Sequence, residues 1–402
     1  MASNAALSKS RIRRMAEVLG GYVDSGKAPG IVALTSRRDS IHVEAIGKAD
    51  LVSGTPMRRD TIFRLASMTK PVTAVAAMIL VEEAKLRLDD PIDRWLPELA
   101  DRKVLRSIES TPDDTVPANR AITLRDLLTF RLGFGAIMAM PGTYPIQDMI
   151  GQAGLAPSPV APPLTPDAWI SRLATLPLLH QPGERWMYHT GSDILGVLIS
   201  RVAGMSLGDF FQERIFGPLG MPDTGFSVPI EKIDRLATCY RTDPATGSLT
   251  IADEARGGVF SRPPAFEAGS AGLVSTADDF NTFGRMLLSG GRHGERRILA
   301  RPTVELMMTD HITADQKGAS LFFPGFWDMR GWGLGAATVT TRSGIGPSVG
   351  SFTWDGGFGT SWCSDPREDM VTILLTQKMM TGPDDHEIKH DFWTLAYAAI
   401  ED

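Results

Sequence analysis

The strand-like runs of this chain lie at its two ends and the helical runs lie between them, an order that few folds accommodate. GIVALTSRR and SIHVEAIG read as two strands, joined by the short polar link Arg38-Asp39-Ser40, so a hairpin is predicted. Further strand-like runs lie at 334–341, 348–354, 358–363 and 370–377. Helical patterns fill the middle at 67–86, 123–130, 167–175, 191–203 and 206–216, with two more at 277–289 and 302–308. Ile12, Met15, Val18 and Leu19 fall at helical spacing within 6–25, and 385–400 reads as a closing helix. The arrangement these runs predict is α+β. The N-terminal strands join the C-terminal ones in a single antiparallel sheet, flanked by the terminal helices, beside a mostly helical lobe. In chain terms that is a discontinuous sheet domain, 1–66 with 225–402, and a helical domain, 67–224. A cleft between the two is the natural ligand site. Residues 140–165, rich in Pro and Gly, read as a long irregular loop of the kind that forms lids or walls.

With 402 residues the chain can bury a substantial core without staples. A net charge of -6 offers no electrostatic footprint for nucleic acid and no polybasic membrane patch. Arg11, Arg13 and Arg14 form the densest basic group and read as the solvated face of a helix. The two cysteines, Cys239 and Cys363, give neither metal spacing nor a disulfide framework. The segment MASNAALSKSRIRRMAEVLG lacks the apolar run of a signal peptide, and no stretch approaches the roughly 18 apolar residues of a membrane helix. The expectation is a soluble cytoplasmic protein.

Three short elements carry chemistry. The first is Ser67-Met68-Thr69-Lys70, where an irregular segment gives way to an apolar helical run. Serine and lysine at i and i+3 share one helix face. A serine hydroxyl needs an adjacent base, and a partly buried lysine with a lowered pKa is one. A helix N-terminus adds backbone donors for an oxyanion. Taken alone the pair also fits a capping serine and a surface lysine. The second is Tyr188, at a loop-to-helix junction after Pro182-Gly183. A neighbouring ammonium would lower the pKa of its phenol and let it relay protons; a packed tyrosine is the plainer reading. The third is Trp354-Asp355-Gly356-Gly357, whose glycines suggest close approach of a strand to a ligand, although Asp355-Gly356 is also a hairpin signal.

Other motifs weigh less. Gly204-Met205-Ser206-Leu207-Gly208 matches a nucleophile elbow, but a helix rather than a strand precedes it, so Ser206 reads as a helix cap with Asp209 three residues on. His386 and His390, at i and i+4, could share a metal, yet no third ligand is evident. His189 adjoins Tyr188 in sequence without having to point the same way. Met138, Met140 and Met149 offer an adaptable apolar wall, or ordinary packing.

Together the three elements resemble the serine β-lactamase and penicillin-binding-protein superfamily, most closely class C β-lactamases and family VIII carboxylesterases. LRLDDPIDRWLPEL, ITLRDLLTF, the block from PGERWMYHTGSDILG to FGPLGMPDTGF, SDP at 364–366 and ILLTQ at 373–377 extend the likeness over most of the chain. The resemblance implies a β-lactamase-like fold with Ser67 as nucleophile, Lys70 and Tyr188 as proton acceptor and relay, and the backbone N–H groups of Ser67 and Gly357 as an oxyanion hole. It implies no cofactor and no metal. Two departures stand out. Thr190 occupies the place of an asparagine that binds a lactam side chain, and Trp354 the place of a lysine that serves the substrate carboxylate and lowers the tyrosine pKa. An indole is expected to do neither, and Asp355 to repel anions. Trp354, Asp355, Gly356, Thr190 and the 140–165 loop are expected to shape the substrate pocket. These differences favour a serine carboxylesterase acting on short neutral or apolar esters, with weak β-lactamase activity as a conceivable side reaction. The alternatives are a β-lactamase, an amide or peptide hydrolase, an acyltransferase, or a sensor that never turns over.

Overall fold

The computed structural model describes residues 7–158, 160–320 and 322–401. Its framework is a sheet of β1 (Gly30–Arg37), β2 (Ser40–Gly47), β3 (Arg330–Trp332), β4 (Ala337–Val339), β5 (Phe352–Gly356), β6 (Thr360–Asp365) and β7 (Met370–Thr376). The strand order is β3-β4-β5-β6-β7-β1-β2, and every pairing is antiparallel. As predicted, the N-terminal hairpin joins the C-terminal strands, with Ile31 opposite Thr376 and Arg37 opposite Met370.

β1 is buried along its whole length, and its residues divide by the two-residue period of a strand. Ile31 and Ala33 pack with helices α1 (Lys9–Asp24) and α5 (Glu387–Ala398). Val32 and Leu34 face the other way into the main core, which reaches α2 (Thr69–Glu82), α3 (Thr190–Ala203) and α4 (Ala277–Leu288). The terminal helices are tied by Tyr22, which donates to Asp391 at 2.7 Å, and by the Lys27–Glu387 ion pair at 2.9 Å. α2 is buried from Thr69 to Leu80, as befits a helix that is apolar on all sides. No single helix among the described residues is long and apolar enough to cross a membrane.

Four sequence expectations need correction. The 140–165 segment is not wholly irregular, because Pro145–Gln152 is a helix. Pro145 occupies a first-turn position, where its missing N–H costs nothing, and Ile146, Met149 and Ile150 supply an inward face. The 334–341 run is not one strand. β3 and β4 flank a turn in which Gly335 has φ +91°, a conformation that ends a strand. β5 begins at Phe352 rather than 348, because Ser348–Ser351 form a turn with Gly350 at φ +92°. The helical run at 206–216 is an α-helix only over Leu207–Phe211 and continues as a π-turn to Phe216. The predicted 6–25 helix spans Lys9–Asp24, and its residue 6 lies outside the described residues.

Candidate active site

Ser67 sits in a 3-10 turn, Ala66–Met68, that leads directly into α2. Ala66 has φ +46°, so the chain is held in a left-handed conformation immediately before the serine. The turn is anchored from outside: Leu65 N–H donates to Leu273 O at 2.8 Å, and Thr69 Oγ1 accepts from Leu273 N–H at 3.1 Å. One helical turn on, Lys70 is fully buried, and its Nζ lies 2.9 Å from Ser67 Oγ and 2.8 Å from Ser270 O. Burial pushes the Lys70 amine down to about 7, and the charge of Asp193 pulls the other way.

Tyr188 lies across the same pair. Lys70 Nζ is 4.6 Å from the centre of its ring, so the amine faces the π-surface. Trp354 Nε1 donates to Tyr188 Oη at 2.8 Å. Burial pushes the phenol well above its ordinary value, and hydrogen bonds with Ser67 and Trp354 lower it without offsetting that effect. Two expectations therefore change. No lysine charge depresses this tyrosine, because desolvation wins; the group is a hydrogen-bond donor at neutral pH. The indole was expected not to act on the tyrosine pKa, yet the hydrogen bond from Trp354 lowers it in part.

Strand β5 presents Trp354 to the cleft and turns at Gly357-Phe358-Gly359, with Gly359 at φ +81°. The hairpin signal at Asp355-Gly356 is thus displaced: both residues are in the strand, and the turn is the three-residue form with glycine at its left-handed position. Gly356 has no room for a side chain, as a Cβ would come within 2.0 Å of Leu65 O. That close approach brings β5 against the segment before Ser67. Gly356 O turns inward to accept from Gly359 N–H at 2.9 Å, so the N–H of the same trans peptide, that of Gly357, points away from the turn. Gly357 and Ser67 line the same cleft.

Asp355 borders the same cleft, but its carboxylate is taken by Lys389 of α5 at 2.6 Å. Burial alone would raise this carboxyl; Lys389, His386 and Arg330 together hold it well below the usual carboxylate range. Its charge is therefore paired with that of Lys389, which weakens the expected repulsion of anions by Asp355. Thr190 is buried at the start of α3 and lines a neighbouring cavity with Pro157 and Ser270, not the cleft around Ser67.

The cleft has a volume of about 330 Å³. Its walls include Phe322, Phe323, Met379, Met380 and Pro157 besides Trp354. Pro157 and Ser158 come from the predicted wall loop, but Met138 and Met140 are exposed and Met149 packs on the core. Sequence reasoning missed the aromatic wall, although FFPGFWDMRGW is dense in rings for a chain that is 7% aromatic. Tyr188 stands within this group, 4.8 Å from Phe322 and 5.4 Å from Trp354 between ring centres. Ser206 is spent as a helix cap, accepting from Asp209 N–H at 3.0 Å. His386 and His390 lie with ring centres 5.8 Å apart, and no metal-competent group of three or more His, Cys, Asp or Glu occurs among the described residues.

Residues 15–392 match the family model described as Beta-lactamase. A protein of Mycobacterium tuberculosis, Protein Rv1367c, is 42% identical over 363 residues, covering 88% of this chain and 87% of that protein. Esterase EstB of Burkholderia gladioli is 30% identical over 376 residues, 88% of each chain. Among solved structures, EstCE1, described as a hydrolase with promiscuous acyltransferase activity, superposes with a TM-score of 0.79 at 26% identity. That match covers 96% of this chain and 99% of the other.

Proposed function

The chain belongs to the Beta-lactamase family, and from that premise we propose that it is a serine carboxylesterase working through an acyl-enzyme. The observation that carries this reading is the Ser67–Lys70 contact of 2.9 Å in a cleft whose wall presents Trp354 and phenylalanines rather than a lysine. Ser67 Oγ attacks the ester carbonyl carbon and passes its proton to the neutral Lys70 amine. A lysine pushed down to about 7 is well matched to that task near neutral pH. The carbonyl oxygen takes up the negative charge between the N–H groups of Ser67 and Gly357. As the carbon–oxygen bond to the alcohol breaks, Tyr188, held protonated by its burial, donates to the departing alkoxide and is reprotonated from Lys70. Water then attacks the acyl carbon by the same route in reverse and frees Ser67.

An apolar wall favours short neutral or apolar acyl and alcohol groups. Acyl transfer to an alcohol is the second reading. The ring-lined cleft offers an alcohol better contacts than it offers water, and EstCE1, whose fold is similar, is described as having both activities. The test is hydrolysis of p-nitrophenyl butyrate and of a chromogenic cephalosporin by wild type and Ser67→Ala. Ester turnover lost in the variant, with little cephalosporin cleavage, is the expected result. Full ester turnover by Ser67→Ala sinks the nucleophile assignment, and fast cephalosporin cleavage puts a β-lactamase first.

A further inference from the structure

Against Lys70, at the edge of the cleft that holds Ser67, lies a buried polar group that the proposed reaction does not use. His189 Nδ1 is 3.4 Å from Lys70 Nζ. Its Nε2 is 3.0 Å from Ser270 Oγ and 3.5 Å from Asp193 Oδ2. Asp193 Oδ1 accepts from Ser270 N–H at 3.0 Å, which closes the group. All three residues are buried. His189 also has φ +89° and ψ -65°, the conformation of a tight three-residue turn that a non-glycine residue rarely adopts. Strain of this kind persists only where the surroundings over-determine it, and it recurs at functional sites.

The arrangement fixes the imidazole tautomer. An ionised carboxylate only accepts, so the nitrogen facing Asp193 carries the proton, and Nδ1 presents a lone pair to Lys70. A neutral amine has two N–H bonds and one lone pair. If Ser270 O and His189 Nδ1 take the two N–H bonds, the lone pair has one direction left.

We propose that His189 is a positioning residue for Lys70: by accepting one N–H it turns the amine lone pair toward the Ser67 hydroxyl. The inference rests on the esterase reading above, in which Lys70 is the base. When the Ser67 O–H bond breaks and the proton joins Nζ, the new ammonium has three N–H bonds and three acceptors: Ser67 Oγ, Ser270 O and His189 Nδ1. No N–H is left without a partner in the dry interior. Without His189 the amine can rotate and donate to Ser67, which is the wrong direction for a base. The titratable and charged groups facing Lys70 are His189 and Asp193 of the α3 segment and Tyr188; Ser67 and Ser270 complete its surroundings.

The test measures kcat and KM for p-nitrophenyl butyrate across pH in four proteins: wild type, Ser67→Ala, His189→Phe and His189→Asn. Phenylalanine keeps the ring and removes the acceptor. Asparagine places Oδ1 near the Nδ1 position and tolerates positive φ. The expected result for His189→Phe is a kcat lower by about 10–100-fold with KM little changed, no more than the low end of the roughly 10²–10⁴-fold that a proton-transfer group itself supplies. Its acid limb moves to lower pH, because the ammonium has lost an acceptor. His189→Asn recovers most of kcat and returns the limb toward wild type. The inference is overturned if His189→Phe keeps the wild-type kcat and profile, or if both variants lose activity equally with unmoved profiles. If His189→Phe does not fold, Ser270→Ala tests the same unit by removing the hydroxyl on Nε2 while keeping the backbone carbonyl. A lowered kcat with a moved acid limb is then expected, and an unchanged kcat and profile overturns the inference. A dead Ser67→Ala beside a normal His189→Phe refutes this inference alone, whereas an active Ser67→Ala refutes the nucleophile assignment on which it rests.

Discussion

Lys389 and Lys70 are buried lysines on opposite sides of the sheet, each with an aspartate nearby. Lys389 touches its partner, Asp355, at 2.6 Å, and the two charges satisfy each other. Lys70 does not touch Asp193; the imidazole of His189 stands between them. Direct contact makes a clamp that fastens α5 to β5. Separation leaves an amine that feels a distant negative charge, is disfavoured as a cation by burial, and keeps its lone pair available. The same two residue types thus sit as a direct ion pair or as a separated pair according to what lies between them, and only the second arrangement suits the proposed base.

The largest effect that tests this contrast is on activity. Lys70→Met should lower kcat/KM by roughly 10²–10⁴-fold, the range for a positioned proton-transfer group. Denaturant unfolding should show stability equal to or above wild type, because a buried amine without a charged contact is removed. A large loss of stability would mean that Lys70 is a brace too. Lys389→Met should do the reverse. It strands Asp355 as a buried charge, and breaking such a pair costs about 3–5 kcal/mol. A lower denaturant midpoint with near-normal turnover of the folded fraction is expected; an unchanged midpoint would show that the pair braces nothing. The smallest effect is Asp193→Asn. Asp193 raises the Lys70 pKa against the downward push of burial, so removing its charge should move the acid limb of kcat/KM, near pH 7 in wild type, to lower pH. An acid limb that stays in place, or moves upward, would show that Asp193 does not reach Lys70 electrostatically.

Much of this was legible in the chain because it depends on short-range spacing. Ser67 and Lys70 are three residues apart at the start of a helix, so one turn of backbone geometry brings them together. The strand-like runs at both ends of the chain are likewise visible as short apolar stretches bounded by turn residues. What stayed hidden depends on contacts between distant segments. Asp355 looked like a bare charge because Lys389, 34 residues on, belongs to a helix whose docking angle no local pattern specifies. His189 was visible as a neighbour of Tyr188, but its strained backbone sends its ring to Lys70 and Ser270. Ser270 itself carries no motif: it meets Lys70 through a backbone carbonyl, which every residue has, and His189 through a lone hydroxyl. Helix Pro145–Gln152 was masked by Pro and Gly counts, although its apolar spacing was present.

The sheet order has a consequence for how the protein is made. β1 pairs on one side with β7, and Ile31 lies opposite Thr376. At about 5–20 residues per second, the ribosome takes roughly 17–70 s to reach that partner. Throughout that interval the nascent β1–β2 hairpin carries an apolar strand with one unpaired edge, ready to add a strand from any neighbouring chain. The helical middle emerges during that wait, but the candidate cleft has no floor until the last strands arrive. Chaperone demand during synthesis should therefore be set by the wait for β7 rather than by the length of the helical middle.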